Sequence, residues 1–192
     1  GRGYGVQLWR QALDHLQDVS CIGLEAAENR VDDYSGWGFQ PASPTTRWQL
    51  DIGSRCDQLP ATTLPDGLRL IHGDAIPDPT IQIYDADREL SPRPHFLADW
   101  LHHPAGDVTA LLDGKQACHG FARIRPCLLQ QNKGWRIGPL LADSPELAEL
   151  LIRDLLKARQ GLVIIDSPGG NALASPLLHN LGFSPTGRTL RM

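Results

Sequence analysis

Apolar positions recur along the chain with two periods, and their alternation lays out the elements. Over residues 6–17, Leu8, Trp9, Ala12, Leu13 and Leu16 fall on one stripe of a helix, and residues 21–24 follow as a short buried strand. Residues 51–67 lose periodicity and gather Pro, Thr, Asp and Gly, which predicts a linker. Beyond it the spacing predicts a strand at 68–71, a helix at 96–102, and strands at 108–112 and 117–129 joined through Asp113-Gly114. A further strand is expected at 135–142. Ser144 then caps a helix that starts on Pro145 and buries Leu147, Leu151 and Leu155. The continuous apolar run 162–165 reads as a strand covered on both faces, and 172–181 as a short helix.

Within this pattern lies a repeat. GFQPASPTTRW at residues 38–48 matches GFSPTGRTLRM at 182–192 without a gap, sharing Gly, Phe, Pro, Thr and Arg at equivalent places. The strand and helix before each copy also correspond. The sequence therefore predicts the end of one domain, residues 1–50, a linker at 51–67, and a second, related domain over 68–192.

Composition narrows the function. With a formal charge of −4 over 192 residues and no basic run, the chain is no nucleic-acid binder. Cys21, Cys56, Cys118 and Cys127 lie far apart, without metal-ligand spacing, and read as buried thiols in a reducing cytoplasm. No apolar stretch has the length of a membrane helix. His102-His103, neighbours on a helix, do not share a face and read as solvated; Trp9, Trp37 and Trp48 read as packing residues, and no metal is expected.

The chain opens on GRGYG, immediately before the first helical stripe. Consecutive amides at a helix start form an anion-binding concavity, and glycine lets a phosphate come close to the main chain. Taken alone, Gly1, Arg2, Gly3, Tyr4 and Gly5 read equally as a glycine-rich tail. The dinucleotide fingerprint G-x-G-x-x-G after a strand is not matched.

Tyr34, four residues before Gly38-Phe39, gives the turn its context. Glycine turn, helix, strand, and a segment ending Tyr-x-x-x-Gly-Phe together resemble the GCN5-related N-acetyltransferase (GNAT) family. That resemblance implies an α/β fold with a mixed central sheet flanked by helices. It implies acetyl-CoA held through its pyrophosphate by Gly1, Arg2, Gly3, Tyr4 and Gly5, and Tyr34 as the acid that protonates the departing thiolate. A half-buried packing tyrosine is the other reading of Tyr34. The first copy departs from the family pattern: Ala27 stands at the usual Asn place and Asp32-Asp33 replaces apolar residues.

In the second copy Asn171, Ala174, Gly182 and Phe183 fit the family segment, but Leu178 occupies the tyrosine position. Ala142-Asp143-Ser144-Pro145-Glu146 replaces the glycine turn. Carboxylates there repel a pyrophosphate, and Pro145 removes an amide. IYDADRELSPRPHFLADWL, GFARIRP, WRIGPLLAD and RTLRM are similar to the C-terminal domain of bacterial tandem acetyltransferases. The resemblance thus implies a catalytic first domain, partial here, and a complete, noncatalytic second one. The expected function is acetyl transfer from acetyl-CoA to an amine, amino-acid-like acceptor. The chain is expected to be a fragment, inactive as given because the strand before Gly1 is needed. The rival is a noncatalytic ligand-binding or dimerisation module, with a homodimer compatible with either. Asp85, Arg93, Arg125, Asp166 and Arg191 fall near element ends of the second domain and are candidates for a ligand pocket; surface ion pairing is the alternative.

Overall fold

In a mixed sheet buried on both faces, strands carry apolar side chains at successive positions, and Val108-Thr-Ala-Leu-Leu112 shows what that burial requires. The computed structural model describes residues 3–53, 63–89, 92–129, 133–157 and 159–192. Gly1, Arg2 and Cys56, with residues 54–62 of the expected linker, lie outside the described residues. By contacts the chain divides into a smaller unit, Gly1–Thr45 with Arg188–Met192, and a larger one, Thr46–Gly187.

In the larger unit β3 (Arg69–His72), β4 (Asp107–Leu112), β5 (Cys118–Leu128) and β6 (Lys133–Ala142) form an antiparallel run, and β7 (Leu162–Pro168) joins β6 in parallel. Next to β7 come β2 (Ser43–Asp51) and then β8 (Ser184–Arg191). Side chains alternate between the faces: Val108, Ala110 and Leu112 meet Ile81 of α3 (Asp78–Ala86) and Leu97 of α4 (Pro94–Leu101). Leu111 points the other way, into the core of α5 (Pro145–Leu156) and α6 (Ala174–Asn180), with Leu151, Ile152 and Leu178. The helix start read from Ser144-Pro145 is present: the Leu147 N–H donates to Ser144 Oγ at 3.4 Å. Helix α3 lies where no element was expected; its proline sits in the first turn, where no N–H is needed.

The smaller unit holds α1 (Tyr4–His15), β1 (Glu25–Ala27) and α2 (Val31–Ser35) around Ala26, Phe39 and Met192. Two expectations are corrected. Trp9 and Leu13 pack inward, but Leu8 is 67% exposed, so the stripe is narrower than its periodicity predicts. The strand follows residues 21–24 rather than occupying them: Cys21 is exposed, and Leu24 and Met192 exchange two main-chain hydrogen bonds of 2.9 Å just ahead of β1. Cys118 and Cys127 are half-buried, and burial pushes the Cys118 thiol up to about 11.

The repeat in sequence is a repeat in conformation. Gly38 and Gly182 have φ of 92° and 86°, a region that favours glycine. The Phe39 N–H donates to the Tyr34 carbonyl at 3.2 Å, and the Phe183 N–H to the Leu178 carbonyl at 2.9 Å. The Gly38 and Gly182 N–H groups bond Ser35 and His179 at 3.0 and 2.9 Å. Each helix end is thus closed by the same two bonds. The strands that follow are exchanged. β8, ending the second copy, pairs antiparallel with β1 of the first (Glu25↔Arg191, Ala26↔Leu190, Ala27↔Thr189). β2, following the first copy's Gly-Phe, lies beside β7 of the second, where Trp48 Nε1 donates to Ser167 Oγ at 2.9 Å.

Phe183 is 1% exposed in the larger core. Phe183→Ala is expected to lower unfolding free energy by about 3–5 kcal/mol. Urea unfolding measures it, and a loss under ~1 kcal/mol would mean the closure packs no core.

Candidate functional site

The parallel pairing of β6 and β7 covers Trp135↔Val163, Arg136↔Ile164 and Ile137↔Ile165. Then the strands part. Gly138 and Pro139 together stand opposite the single Arg123, between the pairs Ile124↔Ile137 and Ala122↔Leu140, which is a bulge on β6. Pro139 has no N–H to give a neighbouring strand. The result is a cleft of about 750 Å³ in the larger unit, lined from β6, β7, α4, α5 and α6, a size suited to a small molecule.

Arg93, Arg125 and Asp166, named from sequence, all line this cleft. Asp85 does not line it. Wholly buried, it accepts two hydrogen bonds from Arg93, of 2.9 and 2.7 Å, and so holds that guanidinium in place. Arg191 does not line it either: it belongs to the smaller unit, opposite Glu25 in the sheet. Arg136 and Arg47 were missed. Both bind Asp166, Arg136 at 2.6 Å and Arg47 through two bonds of 2.8 and 2.9 Å. The signal for Arg47 was in the sequence, as the arginine shared by the two repeats at 47 and 191. Trp100 was also missed. Its ring stacks on Phe96 at 5.7 Å, lies beneath Arg123 and Arg125 at 4.8 and 5.2 Å, and its Nε1 donates to the Gly138 carbonyl at 3.4 Å.

At the other end of the cleft Asp143, Ser144 and Pro145 begin α5. The Asp143 carboxylate accepts from Arg88 at 2.6 Å and from the Tyr84 hydroxyl at 2.9 Å, and lies 3.0 Å from His119 Nδ1. Burial pushes Asp143 upward, but these hydrogen bonds outweigh it and hold its carboxyl below the usual range. Burial, with the Asp143 carboxylate, pushes the Tyr84 phenol up. Leu178, 2% exposed, forms part of the wall.

In the smaller unit Gly3 (φ 73°) precedes α1, and its carbonyl accepts from Val6 and Gln7 at 3.2 and 3.3 Å. A Cβ at Gly3 or Gly5 would meet nothing within 4 Å, so the main chain of this turn is open to approach. Tyr4 starts the helix and is 60% exposed. Tyr34 is half-buried, edge-on to Trp9 at 5.8 Å and to Phe39 at 6.3 Å. Among the described residues no helix is long and apolar enough to cross a membrane, and no group of three or more His, Cys, Asp or Glu could hold a metal.

The family model for the acetyltransferase (GNAT) domain matches residues 81–192, more than half the chain, and the protein belongs to that family. No curated protein matches it in sequence. Among solved structures it is similar to a putative acetyltransferase from Pyrococcus horikoshii, at 23% identity and a TM-score of 0.71, over 100% of this chain and 59% of that one. It is also similar to a GCN5-related N-acetyltransferase from Sphaerobacter thermophilus (13% identity, TM-score 0.63, 100% and 67% covered). A tandem GNAT protein from the clavulanic acid biosynthesis pathway matches with a TM-score of 0.64 at 16% identity, over 99% of this chain and 69% of that one. At these identities the likeness is one of fold. The chain spans 59% of the Pyrococcus structure's length.

The Asp143 network has a pH signature. A carboxyl held below its ordinary value in the folded state stabilises it above the unfolded pKa, and that contribution disappears as pH falls through the folded pKa. The urea midpoint is therefore expected to drop as pH is lowered below about 4, and Asp143→Asn to flatten part of that drop. An acid limb identical in wild type and Asp143→Asn would contradict the network.

Proposed function

We propose that the protein transfers an acetyl group from acetyl-CoA to the amine of a small, amino-acid-like acceptor, in the cytoplasm, and that the first of its two repeats carries the chemistry. Membership of the GNAT family supports acyl transfer in general. The observation that carries the assignment to the first repeat is the shared helix closure, which makes Tyr34 the counterpart of Leu178. Leu178 lines the cleft where β6 and β7 part, which supports a cleft-facing role for Tyr34 in its own copy.

When bound, acetyl-CoA supplies an activated acyl group to an attacking amine. The main-chain N–H groups of the Gly1–Gly5 turn, with Arg2, bind its phosphates, helped by glycines that leave the approach open at Gly3 and Gly5. Tyr34 holds a proton at its hydroxyl and gives it to the departing thiolate; the surrounding Trp9 and Phe39 rings fix its direction.

The second repeat lacks these parts and acts as a noncatalytic partner domain. Leu178 has no proton to give, Pro139 offers no N–H at the bend of β6, and Asp143, charged and already bonded to Arg88, stands where a pyrophosphate would need donors. A formal charge of −4 with no basic run weighs against a nucleic-acid partner and is compatible with a small-molecule acceptor, as is a homodimer.

Tyr34→Phe in the whole protein, assayed by thiol release from acetyl-CoA over a panel of amines, is expected to lower kcat about 100-fold with little change in KM for acetyl-CoA. An unchanged kcat would make Tyr34 a packing residue.

A further inference from the structure

On the cleft side of the sheet, Arg125 of β5 stands directly opposite Arg136 of β6, an arrangement that costs stability because like charges face each other across a strand pair. Asp166 of β7 relieves part of this cost. It binds Arg136, but it also binds Arg47 through both oxygens, so one carboxylate serves two guanidiniums. Among the described residues Arg125 has no carboxylate partner: its guanidinium bonds the Pro126 carbonyl, at 3.4 Å, and rests on Trp100. Against the same ring lies Arg123, wholly buried, with two bonds to the carbonyls of His103 and Ala105 and with Nε and Nη1 unpartnered among the described residues. Burial and the neighbouring Arg125 both push the Arg123 guanidinium down from its ordinary value. Asp166 thus serves two arginines, Arg136 and Arg47, while Arg125 faces Arg136 with no carboxylate of its own among the described residues. Glu89 and Asp85 do not correct the excess, since both are committed to Arg93.

This excess sits where β6 and β7 begin to part, with Phe96 and Trp100 stacked at 19° to form a flat apolar wall of the same cleft. Two facing guanidiniums, one of them without a carboxylate, match an oxyanion, and a stacked aromatic pair matches a planar body. We propose that the cleft of the larger unit binds a small organic oxyanion, its charged group between Arg125 and Arg136 and its flat apolar body against Trp100 and Phe96. An amine does not suit this end, because both oxygens of Asp166 are already taken by arginine. The site is one for binding and stands apart from acetyl transfer, so its test reads affinity alone.

Calorimetric titration of the protein with 2-naphthoate, phenyl phosphate and the neutral 2-naphthamide decides it. At least one anion is expected to bind with a Kd under roughly 1 mM, and the amide far more weakly. Arg125→Leu should weaken anion binding about tenfold or more, and Arg125→Lys should recover only part, as a point charge lacks the planar fork. Arg191→Leu, outside the cleft, should leave it unchanged. Tighter binding of phenyl phosphate would name a phosphate ester as the ligand class, and tighter 2-naphthoate a carboxylate. Binding of neither anion, equal binding of the amide, or full affinity in an Arg125→Leu protein of unchanged melting temperature would overturn the proposal.

Discussion

The organisation of the larger unit depends on a parallel strand pair that holds for three residue pairs and then cannot continue. Gly138 and Pro139 crowd two residues of β6 against one of β5, and the proline withholds the N–H that a further rung would use. Past Ile137 the two strands diverge while β6 stays bonded to β5. The cleft, its walls from α4, α5 and α6, and the exposure of Arg136 and Asp166 on its floor all follow from that one interruption. Trp100 reinforces the bend by donating to the Gly138 carbonyl.

The two repeats share a closure and differ in the side chains it presents. A left-handed glycine followed by a buried phenylalanine ends each helix with the same pair of main-chain bonds, so residues 34 and 178 are equivalent by geometry and by spacing. Tyrosine at one and leucine at the other separates a position able to donate a proton from one able only to pack. A parallel divergence marks the helix starts. Gly3 leaves its surroundings open, whereas Asp143 is locked to Arg88 and Tyr84 and Ser144 caps α5 itself. The same closure thus presents different side chains in the two copies.

Much of this was legible in the sequence, for identifiable reasons. Strands β4 to β7 and helix α5 carry strong periodicity and, for α5, a complete start signal in Ser144-Pro145. The strand following each Gly-Phe was hidden by Pro and Thr: β2 and β8 are half-exposed and lack an apolar run. Their exchange was not legible at all, since which strand neighbours which is decided by pairing between copies far apart in sequence. At the cleft, Arg93, Arg125 and Asp166 were recognised as charges near predicted element ends, although Arg125 and Asp166 lie within β5 and β7. Asp85 was taken for a lining residue because a charge buried behind its partner looks the same in sequence as one in front. Trp100 and Arg136 carry no periodic signal, and only the fold brings them together.

The central claim is that acetyl-CoA is held by the first repeat and not by the second. Amide hydrogen exchange of the protein with and without saturating acetyl-CoA tests it directly. The account predicts slowed exchange in the first turns of α1 and around Tyr34, with residues 142–150 unchanged. Slowed exchange at the start of α5 and around Leu178, with α1 unaffected, would contradict it.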